Sequence, residues 1–158
     1  MSRAFVKEED GAPPPLPLER AISTAPNLVT PRGARLIDEA VSALAGELET
    51  ESDEDKVALL RRDLRYWSAR RASAQLIQPD PEPKAAMFGA RVTIRRDGEE
   101  SEIELVGEDE ADPDSGRIAW TSPLARALDG AEPGDVVELT AGGRVIPIEL
   151  LAVGTGSG

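Results

Sequence analysis

The sequence predicts an α+β protein in which an antiparallel two-helix coiled-coil hairpin precedes a small, mostly antiparallel sheet domain with one short helix. Three observations predict this fold class. Apolar residues recur at three- and four-residue intervals between residues 30 and 78, which is the helical period. After residue 86, apolar and polar residues alternate in short runs, which is the strand period. Pro79, Pro81 and Pro83 separate the two regions.

The order of these regions gives the expected domain organisation. The first segment contains Pro13-Pro14-Pro15, has few apolar residues and shows no period, so it predicts a flexible arm without a fold. The expected units are a proline-rich flexible arm at 1–29, the helical hairpin at 30–78, a linker at 79–85, the sheet domain at 86–153 and a flexible tail at 154–158.

Two helices are predicted within the hairpin. Thr30-Pro31 favours a helix start, because a Thr side chain caps free amides and proline at the first position loses no needed donor. In the second helix Val57 begins a series spaced 3, 4, 3, 4, 3 that ends with Arg71 and Ala74, as in a coiled-coil seam. The expected seam residues are Leu36, Leu44, Leu48, Val57, Leu60, Leu64 and Trp67.

The turn of the hairpin is acidic. Six acids lie between Glu47 and Asp55, a density that suits either a hard cation such as Mg²⁺ or ordinary helix capping. Both interpretations stay open. The second helix is rich in Arg and Lys, which is typical of either a solvated salt-bridge surface or a partner-docking face. The candidate tip acids are Glu49, Glu51, Asp53, Glu54 and Asp55.

Composition excludes several classes of function. Thirty acidic against 18 basic residues give a net charge of −12, so we expect little direct binding to nucleic acid. Cysteine and histidine are both absent, which excludes disulfides, thiolate catalysis and the common structural zinc sites. We therefore expect no cofactor and no intrinsic metal. No apolar run reaches the roughly 20 residues that span a bilayer, so a cytoplasmic protein without membrane contact is expected. We also expect the chain to be a monomer.

The sheet region contains one further helix signal. Ser122-Pro123 supplies a cap and a first-turn proline, and Gly130 supplies a stop, so a short helix is predicted between strands. Pro147 indicates that the last strand lies at an edge or a bulge.

Four motifs of this region together resemble a known family. They are Phe88-Gly89-Ala90-Arg91-Val92, Val106-Gly107-Glu108-Asp109-Glu110-Ala111-Asp112, Ser122-Pro123-Leu124-Ala125-Arg126-Ala127-Leu128 and Gly134-Asp135-Val136-Val137-Glu138. Their order and spacing over residues 86–153 resemble the C-terminal domain of GreA/GreB transcription elongation factors. The resemblance implies an FKBP-like fold for this domain, bacterial RNA polymerase as partner, and a regulator of transcription elongation that is not itself an enzyme.

The resemblance also assigns candidate site residues. In the family, the loop corresponding to Ser122 and Pro123 docks at the rim of the polymerase's secondary channel, so Ser122, Pro123 and the nearby Arg126 are the expected docking residues. Thr121 stands where the GreB pattern has Asp, which weakens the expected affinity for that rim. Asp109 and Asp112 are expected to be scaffold residues that make hydrogen bonds within their loop, and Gly107 is expected to permit a tight turn.

The hairpin departs from the family pattern. Gre factors have a longer coiled coil whose tip acids help to hold a transient Mg²⁺ at the polymerase active site, and the family's tip motif is missing here. The expected activity is therefore regulation at the secondary channel with weak or no stimulation of transcript cleavage. The alternatives are a Mg²⁺-dependent transcript-cleavage factor acting through the acidic tip, and a Gre-related adaptor like the regulator of nucleoside diphosphate kinase.

Overall fold

The computed structural model of this chain describes Gly11 and residues 15–158, and the predicted α+β class is confirmed. Part of the predicted flexible arm, residues 1–10 and 12–14, lies outside the described residues. The elements are β1 (Leu28–Val29), α1 (Pro31–Thr50), α2 (Glu54–Ser73), β2 (Gln75–Leu76), β3 (Ala90–Arg96), β4 (Glu99–Val106), a 3-10 helix (Pro113–Ser115), β5 (Arg117–Ala119), α3 (Pro123–Leu128), β6 (Val136–Ala141) and β7 (Arg144–Thr155).

The helices α1 and α2 form the hairpin, and each begins at a side-chain cap. The Thr30 hydroxyl accepts a hydrogen bond from the Gly33 amide at 3.0 Å, with Pro31 at the first helical position. Asp53 caps α2 by accepting from the amides of Asp55 and Lys56. Each cap satisfies donors that have no partner within the first turn. Each helix has 20 residues, which at about 1.5 Å per residue gives a hairpin about 30 Å long.

One predicted seam residue of α1 lies off the buried stripe. Ile37 and Val41 are buried at 1% and 7% exposure, whereas the predicted seam residue Leu36 is 36% exposed. Neighbouring residues point about 100° apart on a helix, so Leu36 and Ile37 face different directions and Ile37 takes the buried position. The other predicted seam residues, Leu44, Leu48, Val57, Leu60, Leu64 and Trp67, are all half-buried.

At the end of α2 the predicted seam position is exposed and its neighbour is buried. The sequence pattern placed Arg71 there, but Arg71 is exposed and its neighbour Arg70 is buried at 1% exposure. Arg70 lies at the base of the hairpin and faces the C-terminal domain rather than α1.

The last described part of the arm is attached, which corrects the expectation of a flexible segment up to residue 29. Strand β1 pairs in parallel with β2, so the segments that enter and leave the hairpin are joined. The Gln75 amide donates to the Asn27 carbonyl at 2.8 Å, and the Ile77 amide donates to Val29 at 2.9 Å. These backbone bonds close the base of the hairpin.

The arm also follows α2. Glu19 pairs with Arg65, and Arg20 lies 3.6 Å from Asp63 with its guanidinium 3.9 Å from the centre of the Tyr66 ring. A guanidinium over an aromatic face is attracted by the ring quadrupole. The described part of the arm therefore covers a face of α2 that α1 does not.

The C-terminal domain is built on a five-stranded sheet in the order β5-β4-β3-β7-β6. The sheet is mixed rather than wholly antiparallel, because β4 and β5 run parallel and the other pairs run antiparallel. Its inner face packs on α3. The core consists of Ala86, Ala90, Val92, Ile94, Ile103, Leu105, Ala125, Leu128, Ala131, Leu139, Ile148 and Leu150.

Pro147 indicates an edge or a bulge, and its local pairing is that of an edge, although β7 as a whole lies between β3 and β6. Pro147 pairs with Glu138 of β6, and β3 pairs with β7 only from Glu149 onward. Proline has no backbone N–H to donate to a neighbouring strand. Pro147 accordingly lies in the part of β7 that pairs with β6 alone.

The C-terminal tail is also held, contrary to the expected flexible segment 154–158. Gly154 and Thr155 belong to β7, and the Gly156 amide donates to the Gly89 carbonyl at 3.0 Å. The Ser157 hydroxyl donates to the Glu104 carboxylate at 2.9 Å. Burial alone would raise the pKa of Glu104, but hydrogen bonds from Arg91 and Ser157 outweigh burial and leave that pKa below its usual value.

Candidate functional site

The predicted docking residues lie along the exposed side of α3. The Ser122 hydroxyl accepts from the Ala125 amide at 3.3 Å and caps the helix, while Pro123 occupies its first position. Ala125 and Leu128 face the core, which leaves Pro123 and Arg126, one turn later, exposed to solvent. A contact surface here would therefore combine a rigid proline, a partly exposed cap and an exposed cationic side chain.

A cavity of about 310 Å³ lies beside the second half of α3. Phe88, Leu105 and Trp120 give it an apolar wall, and Arg126 and Asp129 supply its charged groups. The Trp120 indole nitrogen is buried and has no hydrogen-bond partner among the residues that the structure describes. The sequence indicated Phe88 and Trp120 as the aromatic residues of this domain, but gave no sign that Leu28 from the arm completes the same wall.

A polar cluster joins the hairpin to the C-terminal domain. Arg70 Nε lies 2.6 Å from Asp109 Oδ2, and the Arg70 Nη2 donates to Asn27 Oδ1 at 2.8 Å. The Asn27 amide donates back to the Arg70 carbonyl at 2.8 Å. The Tyr66 hydroxyl donates to the other oxygen of Asp109. Burial, together with the hydrogen bond to the Asp109 carboxylate, raises the pKa of Tyr66 to about 12.

A second contact lies one residue further along the same loop. The Thr30 hydroxyl donates to Glu110 Oε2 at 2.7 Å while still accepting from the Gly33 amide. Glu110 is only 5% exposed. Gly107 lets the backbones approach, because a Cβ there would lie 2.4 Å from the Leu28 carbonyl oxygen. The segment 106–112 is thus the surface on which the hairpin base rests.

This arrangement separates two aspartates that the sequence treated alike. Asp112 serves its own loop, accepting from Ser115 at 2.6 Å and from Arg117 at 3.3 Å. Asp109 instead bonds to Arg70 and Tyr66, residues 39 and 43 positions away. No local pattern marks such distant partners, so the expectation that Asp109 serves its own loop is wrong.

The acidic hairpin tip is organised as caps. Asp53 accepts two amides of α2, and Glu51 accepts the Asp53 amide at 3.0 Å. Glu49, Glu54 and Asp55 are exposed. Within Gly11 and residues 15–158, no three acidic side chains converge in a geometry that could hold a metal ion. The tip therefore carries concentrated negative charge on a capped turn.

Known proteins resemble the C-terminal part of the chain. Residues 80–155 match the family model described as transcription elongation factor, GreA/GreB, C-term. Transcription elongation factor GreA of Caulobacter vibrioides is 44% identical over 72 residues, covering 44% of this chain and 46% of the relative. Transcription elongation factor GreB of Neisseria meningitidis is 39% identical over 97 residues, covering 58% of each chain.

A solved structure of GreA factor homolog 1 (Gfh1) of Thermus thermophilus aligns with 82% of this chain and 99% of its own, at 16% identity and a TM-score of 0.40. The chain spans about half the length of the curated relatives it matches. No helix in the described part of the chain is long and apolar enough to cross a membrane. Residues 80–155 are therefore similar to the C-terminal domain of GreA/GreB transcription elongation factors.

Proposed function

We propose that this chain is a Gre-type regulator of transcription elongation that binds bacterial RNA polymerase and acts at the secondary channel. The observation that carries the proposal is the position of Ser122 and Pro123 at the solvent-facing start of α3, with Arg126 exposed one turn later, in a domain that matches the GreA/GreB C-terminal family model. A capped helix end is a fixed feature, so a partner meets the same surface each time. The chain has no catalytic role of its own in this proposal; it acts as a binding protein.

The hairpin is the part that acts within the channel. It extends about 30 Å and ends in the tip acids, so it delivers negative charge at a distance from the docking surface. At physiological salt the field of such charges fades over about 8 Å. The proposed effect is therefore local, on the entry of nucleotides and Mg²⁺ near the tip, with weak or no stimulation of transcript cleavage.

The arrangement of the tip acids supports weak cleavage. Among the described residues no three acidic side chains lie close enough together to hold a metal ion, and Asp53 uses its Oδ1 to cap α2. A direct ligand must approach Mg²⁺ to about 2.0–2.1 Å, so acids that do not converge cannot hold the ion together. The exposed acids Glu49, Glu54 and Asp55 favour a second candidate function, in which the tip assists Mg²⁺-dependent cleavage by the polymerase.

The net charge of −12 supports polymerase rather than nucleic acid as the partner, because a phosphate backbone repels such a chain. We propose that the chain works in the cytoplasm, as a monomer and without a cofactor of its own.

Direct titration tests this function. The chain has no cysteine, so Thr140→Cys gives a single thiol for a fluorescent label on the exposed side of β6. Adding core RNA polymerase should give saturable binding that unlabelled GreA from the same organism displaces. Absence of binding, or binding that an excess of GreA leaves unchanged, would contradict the proposal.

A further inference from the structure

The base of the hairpin contains an ion pair that neither the docking surface nor the tip requires. The Arg70 and Asp109 side chains are 2% and 8% exposed and meet at 2.6 Å. Each member of the pair makes one further side-chain hydrogen bond, Arg70 to Asn27 and Asp109 to Tyr66. A buried charge pair holds a single geometry, because separating its members leaves each charge without a partner in a site that excludes water.

Both helices of the hairpin are tied to the same loop. α2 is attached through Arg70 to Asp109, and α1 is attached through its cap residue Thr30 to Glu110. The two loop residues are adjacent in sequence, but their partners lie on different helices. One contact would allow the hairpin to pivot about it. Two contacts on different helices oppose rotation, since turning the hairpin about one of them stretches the other.

The backbone leaves little room for a hinge at this point. β1 pairs with β2, so the segment that enters the hairpin is bonded to the segment that leaves it. The Leu28 carbonyl lies directly against Gly107. A change in the angle of the hairpin would therefore have to break this packing as well as the hydrogen bonds to the carboxylates of Asp109 and Glu110.

We propose that Arg70 is a positioning residue that, with Asp109 and Glu110, locks the hairpin in one orientation relative to the C-terminal domain. The lock makes α3 and the hairpin tip two ends of one rigid body. A partner that holds α3 then receives the tip at a fixed place. The fixed placement of the tip in a complex with polymerase rests on the proposed function. The locked orientation of the hairpin is a property of the free chain.

Distances in the free chain test the lock. The sequence contains no cysteine, so Ser52→Cys at the tip and Thr140→Cys on β6 allow two spin labels on an otherwise full-length chain. Pulsed electron resonance should give one narrow distance distribution. Asp109→Asn should cause loss of that single component and replace it with a broad distribution, while circular dichroism stays the same.

Asp112→Asn is the matched control, since that aspartate is also bonded to an arginine but only within its own loop. It should leave the narrow distribution intact. A broad distribution in the unmodified background, or an equally narrow one after Asp109→Asn, would overturn the inference. If Asp109→Asn unfolds the chain, Tyr66→Phe, which removes one bond to the same carboxylate, must widen the distribution for the inference to stand.

The lock and the proposed function fail differently. If the distribution is narrow but the labelled chain does not bind polymerase, the lock stands and the function is wrong. If the chain binds polymerase but the distribution is broad, the function stands and the lock is wrong. If both hold, Asp109→Asn should retain polymerase binding through α3 and lose the hairpin's effect on elongation, and Asp112→Asn should retain both.

Discussion

Arg70 on α2 and Asp109 in the loop after β4 form a buried ion pair, with Arg70 Nε 2.6 Å from Asp109 Oδ2, across the junction between the hairpin and the C-terminal domain. The pair connects residues 39 positions apart in the sequence. The GreA/GreB-like domain therefore has two separate surfaces. One, at 106–112, receives the hairpin, and the other, at α3, stays exposed.

Removing the arginine should be costly. Arg70→Ala leaves the Asp109 carboxylate in a buried site without its cation, a change that destabilises proteins by about 3–5 kcal/mol. The free energy of unfolding, measured by urea denaturation, should fall by that amount. Arg71→Ala is the control, because this neighbouring arginine is exposed and should change stability little. Equal effects of the two substitutions would show that the ion pair does not hold the junction.

Tyr66 should titrate far above an ordinary tyrosine. Its pKa is raised from 10.0 to about 12 by burial and by the hydrogen bond to Asp109. Between these two values the folded chain keeps a proton that the unfolded chain has lost. The stability that this proton contributes is present below pH 10 and is lost as the pH rises toward 12.

The measurement is the ultraviolet absorbance of tyrosinate, which reports this side chain alone because the chain has one tyrosine. Asp109→Asn should lower the pKa only in part, since burial is the largest cause of the shift. A midpoint near pH 10 in the folded chain would contradict the buried position of the Tyr66 hydroxyl.

Two adjacent residues test the helix packing. Ile37 is 1% exposed and Leu36 is 36% exposed, although the sequence pattern favoured Leu36 for the seam. Ile37→Ala should lower the free energy of unfolding by about 2–5 kcal/mol because it leaves a cavity. Leu36→Ala should lower it by less than about 0.5 kcal/mol, as surface substitutions do. Equal losses in thermal or urea denaturation would mean that the seam is assigned to the wrong face.

The parts of the fold that the sequence predicted well depend on local chemistry. Thr30-Pro31 and Ser122-Pro123 start helices because the capping group and the free amides lie within three residues of each other. The sequence defines the rotation of α1 about its axis less well. A stripe with three- and four-residue spacing can begin at either of two adjacent apolar residues, and the pattern indicates Leu36 although Ile37 is the buried one.

The parts that were missed depend on partners far away in the sequence. Hydrogen bonds join Asp109 to Arg70, Glu110 to Thr30 and Ser157 to Glu104, and each pair is separated by 39 or more positions in the sequence. Such pairings follow from the way the hairpin and the tail return to the sheet, and composition does not mark them. The arm looked unstructured for the same reason, since its contacts with α2 are ion pairs and a cation over an aromatic ring.

Transcript cleavage should be weak or absent. A backtracked elongation complex incubated with Mg²⁺ and this chain should release short 3′ RNA fragments no faster than polymerase alone. The test of the tip is Asp53→Asn with Glu54→Gln, which removes two charges but keeps a side chain that caps α2. Glu132→Gln with Glu138→Gln, two exposed acids of the C-terminal domain, is the control. Rapid cleavage that only the tip variant abolishes would show that the hairpin reaches the catalytic metal.

The most direct test of the central claim is the affinity of core RNA polymerase for a variant of the α3 end. Ser122→Asn with Pro123→Ala changes the surface while Asn preserves the helix cap, so a change in affinity is not a change in folding. The control is Pro113→Ala with Ser115→Ala, in an exposed turn of the same domain. We predict that the α3 variant binds at least about tenfold more weakly, a difference of about 1.4 kcal/mol, and that the control binds like the unmodified chain. Equal affinity of all three chains would contradict docking through Ser122 and Pro123.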